Sequence, residues 1–164
     1  MSAEIDFQIL FDFKKTGIIS CAFIFISSLQ LYNTYNNMFN RIHHIAIICS
    51  NYQVSKDFYV NKLGLKVLAE VFRAERNSYK LDLAVNELYQ IELFSFPNPP
   101  ARPSRPEALG LRHLAFEVDD IESIVKDLSL KGIQTEQVRV DEFTGKKFTF
   151  FTDPDGLPLE LYQK

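Results

Sequence analysis

Residues 42–47 read Ile-His-His-Ile-Ala-Ile, and residues 111–116 read Leu-Arg-His-Leu-Ala-Phe. Each stretch is followed by a second apolar stretch that carries a glutamate, Glu92 in the first case and Glu160 in the second. The histidines that precede Ile-Ala and Leu-Ala are 69 residues apart, and the two glutamates are 68 residues apart. The same unit therefore occurs twice, and two copies of one histidine and one glutamate predict a metal site.

Length and composition limit the class of protein. The chain has 164 residues, 46% of them hydrophobic and 24% charged, and its formal charge is -3. This length suits one domain built from two small modules, and the weak negative charge argues against a nucleic-acid partner. Cys21 and Cys49 lack CxxC spacing, so neither a zinc knuckle nor a disulfide framework is predicted, and we expect a reducing cytoplasm as the location.

Residues 1–37 differ from the rest of the chain. Lys14-Lys15 precede an apolar run over residues 17–31, which is shorter than the roughly 20 residues that a stable membrane span needs. Three interpretations stay open: a non-native or mis-started extension, a mobile or interfacial arm, and a signal peptide. In each of them the domain occupies residues 38–164 and the N-terminal segment carries no chemistry.

From Met38 onward the pattern predicts an α+β fold of two tandem β-α-β-β-β modules, at about 40–97 and 109–164, joined by a Pro- and Arg-rich linker over 97–108. Ser50-Asn51 and Asp119-Asp120 are suited to cap the helices, and Gly64 and Gly132 to end them. The first module is predicted to contain strands over 41–49, 66–73, 79–86 and 87–96 and a helix over 53–62. The second contains a strand before its cap, a helix from Ile121, and strands over 135–140, 147–152 and 157–162.

Strand alternation predicts where the candidate ligands point. Glu92 alternates with Ile91 and Leu93, and Glu160 likewise leaves the apolar face of its strand. If each apolar face packs on its helix, the other faces can turn toward each other and enclose a polar cavity within reach of His44, Glu92, His113 and Glu160. His43 points to the opposite face from its neighbour, and we expect it to be a packed, hydrogen-bonded histidine.

These motifs resemble the vicinal oxygen chelate superfamily, which includes glyoxalase I, ring-cleaving dioxygenases, fosfomycin-resistance enzymes and bleomycin-binding proteins. The resemblance covers residues 38–164, and within the superfamily the chain looks closest to the short glyoxalase-like bacterial proteins labelled YaeR-like. It rests on His44-Ile45-Ala46-Ile47, Phe58-Tyr59 with Leu63-Gly64, Ile91-Glu92-Leu93, His113-Leu114-Ala115-Phe116, and Phe151 with Asp153-Pro154-Asp155-Gly156 and Glu160-Leu161.

The resemblance implies a curved mixed sheet around a metal cavity, in which His44, Glu92, His113 and Glu160 hold one divalent ion: Ni, Zn, Co, Fe or Mn. It implies a homodimer and a glyoxalase I-like lyase or isomerase. The substrate would be a small molecule that chelates the ion through two neighbouring oxygens, such as the hemithioacetal of methylglyoxal and a thiol. By the same resemblance Glu160 is both ligand and general base, with Glu92 as the second candidate for the base.

Candidate substrate contacts are less specific. The linker contains five prolines between Phe96 and Glu107, and its simplest role is to space the modules in an extended conformation. Alternatively Arg102 or Arg105, with Arg73 or Lys80, reaches the mouth of the cavity and holds an anionic group. Two aromatic residues, Phe94 and Tyr162, share a sheet face with the glutamates and are candidates to line the pocket.

Two other functions stay open. One is a metal-poor protein that binds and sequesters an antibiotic or metabolite, as bleomycin-resistance proteins do, and the other is a ring-cleaving dioxygenase. The complete set of two histidines and two glutamates favours the lyase, because four protein ligands restrict the open positions that oxygen and a ring substrate need. Whether the site forms within one chain or across a dimer is not decided by the sequence.

Overall fold

The computed structural model describes residues 38–87 and 90–164. Residues 42–164 form one compact unit. The predicted N-terminal extension over residues 1–37 lies outside the described residues. No helix within the described ranges has the length and apolar character needed to cross a membrane.

Both modules have the predicted β-α-β-β-β order. The first contains β1 (Ile45–Cys49), α1 (Tyr52–Lys56) with a π-helical continuation (Asp57–Lys62), β2 (Lys66–Arg73), a short 3-10 turn (Ala74–Arg76), β3 (Ser78–Ala84) and β4 (Gln90–Ser95). The second contains β5 (Leu114–Val118), α2 (Ile121–Leu130), β6 (Arg139–Val140), β7 (Lys147–Thr152) and β8 (Pro158–Gln163). The chain therefore has the α+β fold that the repeated pattern predicts.

Each module forms its own four-stranded sheet, in the orders β1-β4-β3-β2 and β5-β8-β7-β6. In both sheets the first strand runs parallel to the fourth and the remaining pairs are antiparallel. The sheets are thus mixed, and the same topology occurs twice. The predicted strand over 135–140 is shortened to β6. Ahead of it, Glu136 still contacts β7: its N–H donates to the Phe150 carbonyl (2.7 Å) and its carbonyl accepts from the Thr149 side chain (2.8 Å).

Local signals at the helix ends are confirmed. The Asn51 side chain accepts a hydrogen bond from the backbone N–H of Val54 (3.2 Å), and that of Asp120 accepts one from Ser123 (3.1 Å). Both are N-caps that satisfy a free backbone donor in the first turn. Gly64 follows the first helix with φ +78°, a left-handed conformation that favours glycine.

One hydrophobic core serves both modules. Alternate residues of β4 and β8 are buried, Ile91 with Leu93 and Leu159 with Leu161, as strand alternation predicts. These four side chains belong to a single buried cluster with residues of both helices. The apolar faces of the two sheets therefore share this core, and their polar faces lie on the sides turned away from it.

A buried hydrogen bond connects the modules. The Tyr59 hydroxyl, on the first helix, donates to Asp153 Oδ2 (2.9 Å) in the turn before β8, and both side chains are buried. Burial raises the pKa of the Asp153 carboxyl, although hydrogen bonds from Leu157, Tyr59 and Asp155 oppose this. The Asp153-Pro154-Asp155-Gly156 turn predicted from sequence thus also holds the first helix.

We expect Tyr59→Phe to lower the free energy of unfolding by about 1–3 kcal/mol, because it leaves a buried carboxylate oxygen without its donor. Urea denaturation at neutral pH measures the change. Tyr52→Phe is the matched control: its hydroxyl donates to Glu70 (2.5 Å), which is exposed, so water can replace the lost bond. Equal stability of the two variants would contradict the role of the buried bond.

Candidate metal centre

The four predicted ligands occupy equivalent positions in the two modules. His44 directly precedes β1 and His113 directly precedes β5, while Glu92 and Glu160 are the third residues of β4 and β8. Parallel pairing sets Ala46 beside Glu92 and, in the other sheet, Ala115 beside Glu160. Each histidine lies two residues before its alanine and just ahead of its strand, and its contact with the glutamate places it on the same face.

The structure brings each histidine to its glutamate. His44 Nε2 lies 3.5 Å from Glu92 Oε2, and His113 Nε2 lies 3.0 Å from Glu160 Oε2. Metal bonds of about 2.0–2.2 Å at a right angle would hold two donor atoms roughly 3 Å apart. Both separations suit two adjacent positions on one ion. Imidazole nitrogen and carboxylate oxygen are also donors that divalent transition metals accept. Each pair therefore fits half of a metal site.

The two halves do not combine within the described part of the chain. Among residues 38–87 and 90–164, no three His, Cys, Asp or Glu side chains form a group able to hold one ion. Within these described residues, the two His/Glu pairs therefore remain separate and do not form one group of four ligands. The physical reason is the shared core: the modules use their apolar faces to pack against each other.

The first half-site, His44 with Glu92, has several charged neighbours. Lys80 Nζ lies 3.0 Å from Glu92 Oε1 and also contacts Asp82 Oδ1. Burial by itself lowers the pKa of the Lys80 ammonium, but hydrogen bonds to Asp82 and Glu92 together outweigh it, so the pKa is raised. Lys80 is thus a cation that neighbours a candidate ligand, rather than one that extends freely toward an anionic substrate.

The second half-site, His113 with Glu160, has aromatic neighbours. The His113 ring meets the Phe150 ring edge to face, with centroids 5.3 Å apart, and Phe150 lies opposite Glu160 on the neighbouring strand. The Arg139 guanidinium lies over Phe148 (4.8 Å) and Phe150 (5.7 Å). A cavity of about 460 Å³ opens beside His113, lined also by Arg105, Gln134, Thr135, Glu136, Arg139 and Phe150.

Arg73 lies on the polar face of the first sheet. Its guanidinium covers the rings of Phe94 (4.8 Å) and Phe96 (5.5 Å), and one amino group donates to Ser78 Oγ (2.5 Å). Its Nε is the one buried side-chain nitrogen or oxygen in the described residues that lacks a hydrogen-bond partner. Arg73 and Phe94 therefore form a stacked pair that still has one free donor.

The two linker arginines differ in their surroundings. Arg102 donates to Ser104 Oγ (2.8 Å) and to the carbonyls of Leu111 and Arg112 (3.1 Å for the latter), so it ties the linker to the chain ahead of β5. Arg105 is 80% exposed and lies 3.8 Å from Glu136 at the cavity beside His113. Of the two, Arg105 is the one with freedom to meet a ligand.

Tyr162 is held by the loop before β7. Its hydroxyl donates to Asp141 Oδ2 (3.1 Å) and lies 2.5 Å from Thr144 Oγ1. Backbone hydrogen bonds from Phe143 and Thr144, together with that of Tyr162, hold the pKa of the Asp141 carboxyl below its usual range. The loop and the polar face of β8 are thereby linked.

His43 is not the packed residue that alternation predicts. It is exposed, and its Nδ1 lies 2.9 Å from Nδ1 of His44. Regular pairing of β1 begins only at Ile45, so His43 precedes the region where alternation would direct it into the core. Its hydrogen-bonded state, by contrast, agrees with the prediction.

Three residues near the half-sites were not identified as partners of the ligands from sequence: Lys80 as a contact of Glu92, Asp82 behind it, and Arg139. The repeat contains a feature that distinguishes Lys80 and Asp82. A shift of 68 residues places Lys80 on Phe148 and Asp82 on Phe150, so charged residues in one copy replace aromatic residues in the other. Arg139 lies in a two-residue strand that gives no clear alternation.

Two β-α-β-β-β modules with a His/Glu pair at the same strand positions define a class of tandem-module proteins with paired half-sites. Residues 41–161 match the model of the Glyoxalase/Bleomycin resistance protein/Dioxygenase superfamily. The chain belongs to this superfamily.

Individual relatives agree with this assignment. The chain is 63% identical over 123 residues to the uncharacterized protein YwkD of Bacillus subtilis (strain 168), covering 75% of this chain and 96% of that protein. It is 60% identical over 124 residues to the uncharacterized protein YaeR of Escherichia coli (strain K12), covering 76% and 96%. The crystal structure of a glyoxalase family protein from Enterococcus faecalis superposes with a TM-score of 0.72 at 58% identity, covering 76% of this chain and 98% of that one.

Proposed function

We propose that this protein is a metal-dependent, glyoxalase I-like lyase or isomerase. Its substrate is a small molecule whose two neighbouring oxygens can bind one divalent ion, for example a hemithioacetal of methylglyoxal and a thiol. The observation that carries the proposal is the pair of equivalent His/Glu contacts, 3.5 Å in one module and 3.0 Å in the other. Membership of a superfamily that contains glyoxalases supports it.

The proposed active form is a homodimer in which His44 and Glu92 of one subunit share an ion with His113 and Glu160 of the partner subunit. This assembly accounts for the separation of the two half-sites among the described residues. It would also cover Ile48, which is 55% exposed on the ligand-bearing face of β1. Two-fold symmetric dimers are the commonest oligomers, and symmetry would create two identical sites.

In this site a divalent ion would supply Lewis-acid polarisation of two adjacent substrate oxygens. Glu160 would take the proton from the carbon next to the carbonyl and deliver it to the neighbouring carbon, so that the product is an isomer of the substrate. Glu92 would remain a ligand and is the second candidate for the base. The two histidines would act only as ligands.

Substrate contacts are proposed on both faces of the site. Arg73, stacked on Phe94, would present its guanidinium charge to an anionic group. Arg105 would act from the cavity beside His113. Tyr162, anchored through Asp141, would form part of the wall next to Glu160.

A cytoplasmic location is also proposed. Cys49 is a buried free thiol, and burial raises its pKa to about 11, so it is poorly suited to thiolate chemistry or disulfide exchange. Cell fractionation with an antibody against the chain tests the location, and recovery with the membrane or exported fraction would contradict it.

Metal analysis of the full chain tests the function directly. We expect one tightly bound Ni, Co, Zn, Mn or Fe ion per subunit and turnover of methylglyoxal with at least one thiol in the presence of one of these ions. A folded protein that binds none of the five metals would refute the proposal. Binding of a small molecule without metal and without turnover would instead favour a sequestration protein.

A further inference from the structure

Lys80 lies between two carboxylates on the ligand-bearing face of the first sheet. Its Nζ is 3.0 Å from Glu92 Oε1 and contacts Asp82 Oδ1. Asp82 and Glu92 are direct cross-strand partners in the β3–β4 ladder. The three side chains are 26%, 20% and 13% exposed for Lys80, Asp82 and Glu92 respectively, so water screens this ion-pair network less than an exposed pair.

The two oxygens of Glu92 have different neighbours. Oε1 faces the Lys80 ammonium, whereas Oε2 faces His44 Nε2 at 3.5 Å. An ion bound beside His44 would therefore meet Oε2, while Oε1 is engaged by a cation. The contact selects binding through one oxygen, because a bidentate carboxylate would need Oε1 to turn away from Lys80.

The second module lacks this network. Phe148 and Phe150 occupy the repeat positions of Lys80 and Asp82, and Phe150 is the cross-strand partner of Glu160. Within the described residues the polar side-chain contact of Glu160 is the one to His113. Glu160 thus lies beside the Phe150 ring, and no Lys or Arg of the described residues contacts its second oxygen.

We propose that Lys80, backed by Asp82, is a positioning residue that holds Glu92 in one-oxygen contact with the metal ion. This inference rests on the proposed metal site and goes beyond it, because it identifies what keeps Glu92 a permanent ligand. The Lys80 cation engages one oxygen of Glu92 and leaves the other for the ion.

Charge balance argues against Lys80 as a contact for an anionic substrate. Lys80, Asp82 and Glu92 carry one positive and two negative charges, so the group has a net charge of -1 in the absence of metal. An incoming carboxylate would meet this negative charge and would have to displace an existing ion pair. The same net charge favours an incoming divalent cation.

The test compares Lys80→Met with Lys56→Met in the full chain. Lys56 pairs with Glu70 (2.6 Å) on the helix-facing side of the same sheet, so its replacement removes an equal charge and an ion pair away from the site. Chelator competition measures Co(II) affinity, and the visible absorption of bound Co(II) reports ligand geometry. Circular dichroism confirms that each variant is folded.

We expect Lys80→Met to change the visible spectrum of bound Co(II), because Glu92 Oε1 is then free to bind the ion as well. Co(II) binding should not weaken, because the variant removes a positive charge beside the ion. Lys80→Arg should keep the wild-type spectrum, because it retains a cation beside Glu92. Lys56→Met should match the wild type in both measurements. Asp82→Asn keeps Lys80 but removes the carboxylate that backs it, so it should change the spectrum in the same direction and tests the network if Lys80→Met does not fold.

A wild-type Co(II) spectrum in Lys80→Met, or in Asp82→Asn when Lys80→Met is unfolded, would overturn the role of Lys80 while leaving the proposed function intact. An equal spectral change in Lys56→Met would also overturn it, because the effect would then be one of general charge. Absence of metal binding by the wild type would refute the proposed function and this inference together.

Discussion

We expect Glu160→Gln to keep the metal ion and to lose turnover by a factor of about 10²–10⁴, the usual contribution of a general base. Glutamine has nearly the same shape, and its amide oxygen can still contact an ion, but it cannot accept a proton at neutral pH. Glu160 is 12% exposed in its side chain and lies 3.0 Å from His113, so the replacement fits without loss of packing.

Glu92→Gln is the matched control, because it makes the same change at the equivalent position of the other sheet. It removes the charge that pairs with Lys80 and should weaken metal binding, yet at saturating metal it should retain more turnover than Glu160→Gln. The measurement is kcat at saturating metal for both variants. A Glu160→Gln enzyme with bound metal and full turnover would exclude Glu160 as the base, and the reverse ranking would transfer that role to Glu92.

The second large effect concerns the histidines. His44→Ala and His113→Ala should each weaken metal binding by more than about 100-fold, beyond the 10–100-fold typical of residues that only orient ligands. The loss is expected from either module because one ion uses both half-sites. His43→Ala is the control: His43 contacts His44 but belongs to neither His/Glu pair, so it should keep a full complement of metal.

Mixing the two histidine variants tests whether the site spans two subunits. In a mixed dimer, one site combines the intact His44 half with the intact His113 half, and the other site has both halves damaged. Random exchange makes half of the dimers mixed, so about one quarter of the wild-type metal content should return. Titration of metal after co-refolding measures the recovery. No recovery in verified mixed dimers would show that each chain builds its own site.

Much of the local structure could be predicted from the sequence. The order of elements, the caps at Asn51 and Asp120 and the burial of Ile91 and Leu93 follow from periodicity and capping chemistry, which act over a few residues. The pairing of each histidine with its glutamate followed too, because a repeated unit with the same strand register must repeat the contact. The shortened β6 was missed, since its extent is set by pairing with β7, which includes only Arg139 and Val140.

The sequence by itself determined the repeat, the two His/Glu pairs and the face of the sheet on which each glutamate lies, because two-residue alternation is a local property of strands. Only the tertiary structure decided that the modules join through their apolar faces, which leaves the half-sites separate in the described chain. It also decided that Lys80 engages Glu92 rather than open solvent. Both outcomes depend on contacts between strands distant in the chain, and local periodicity does not encode which faces or side chains will meet.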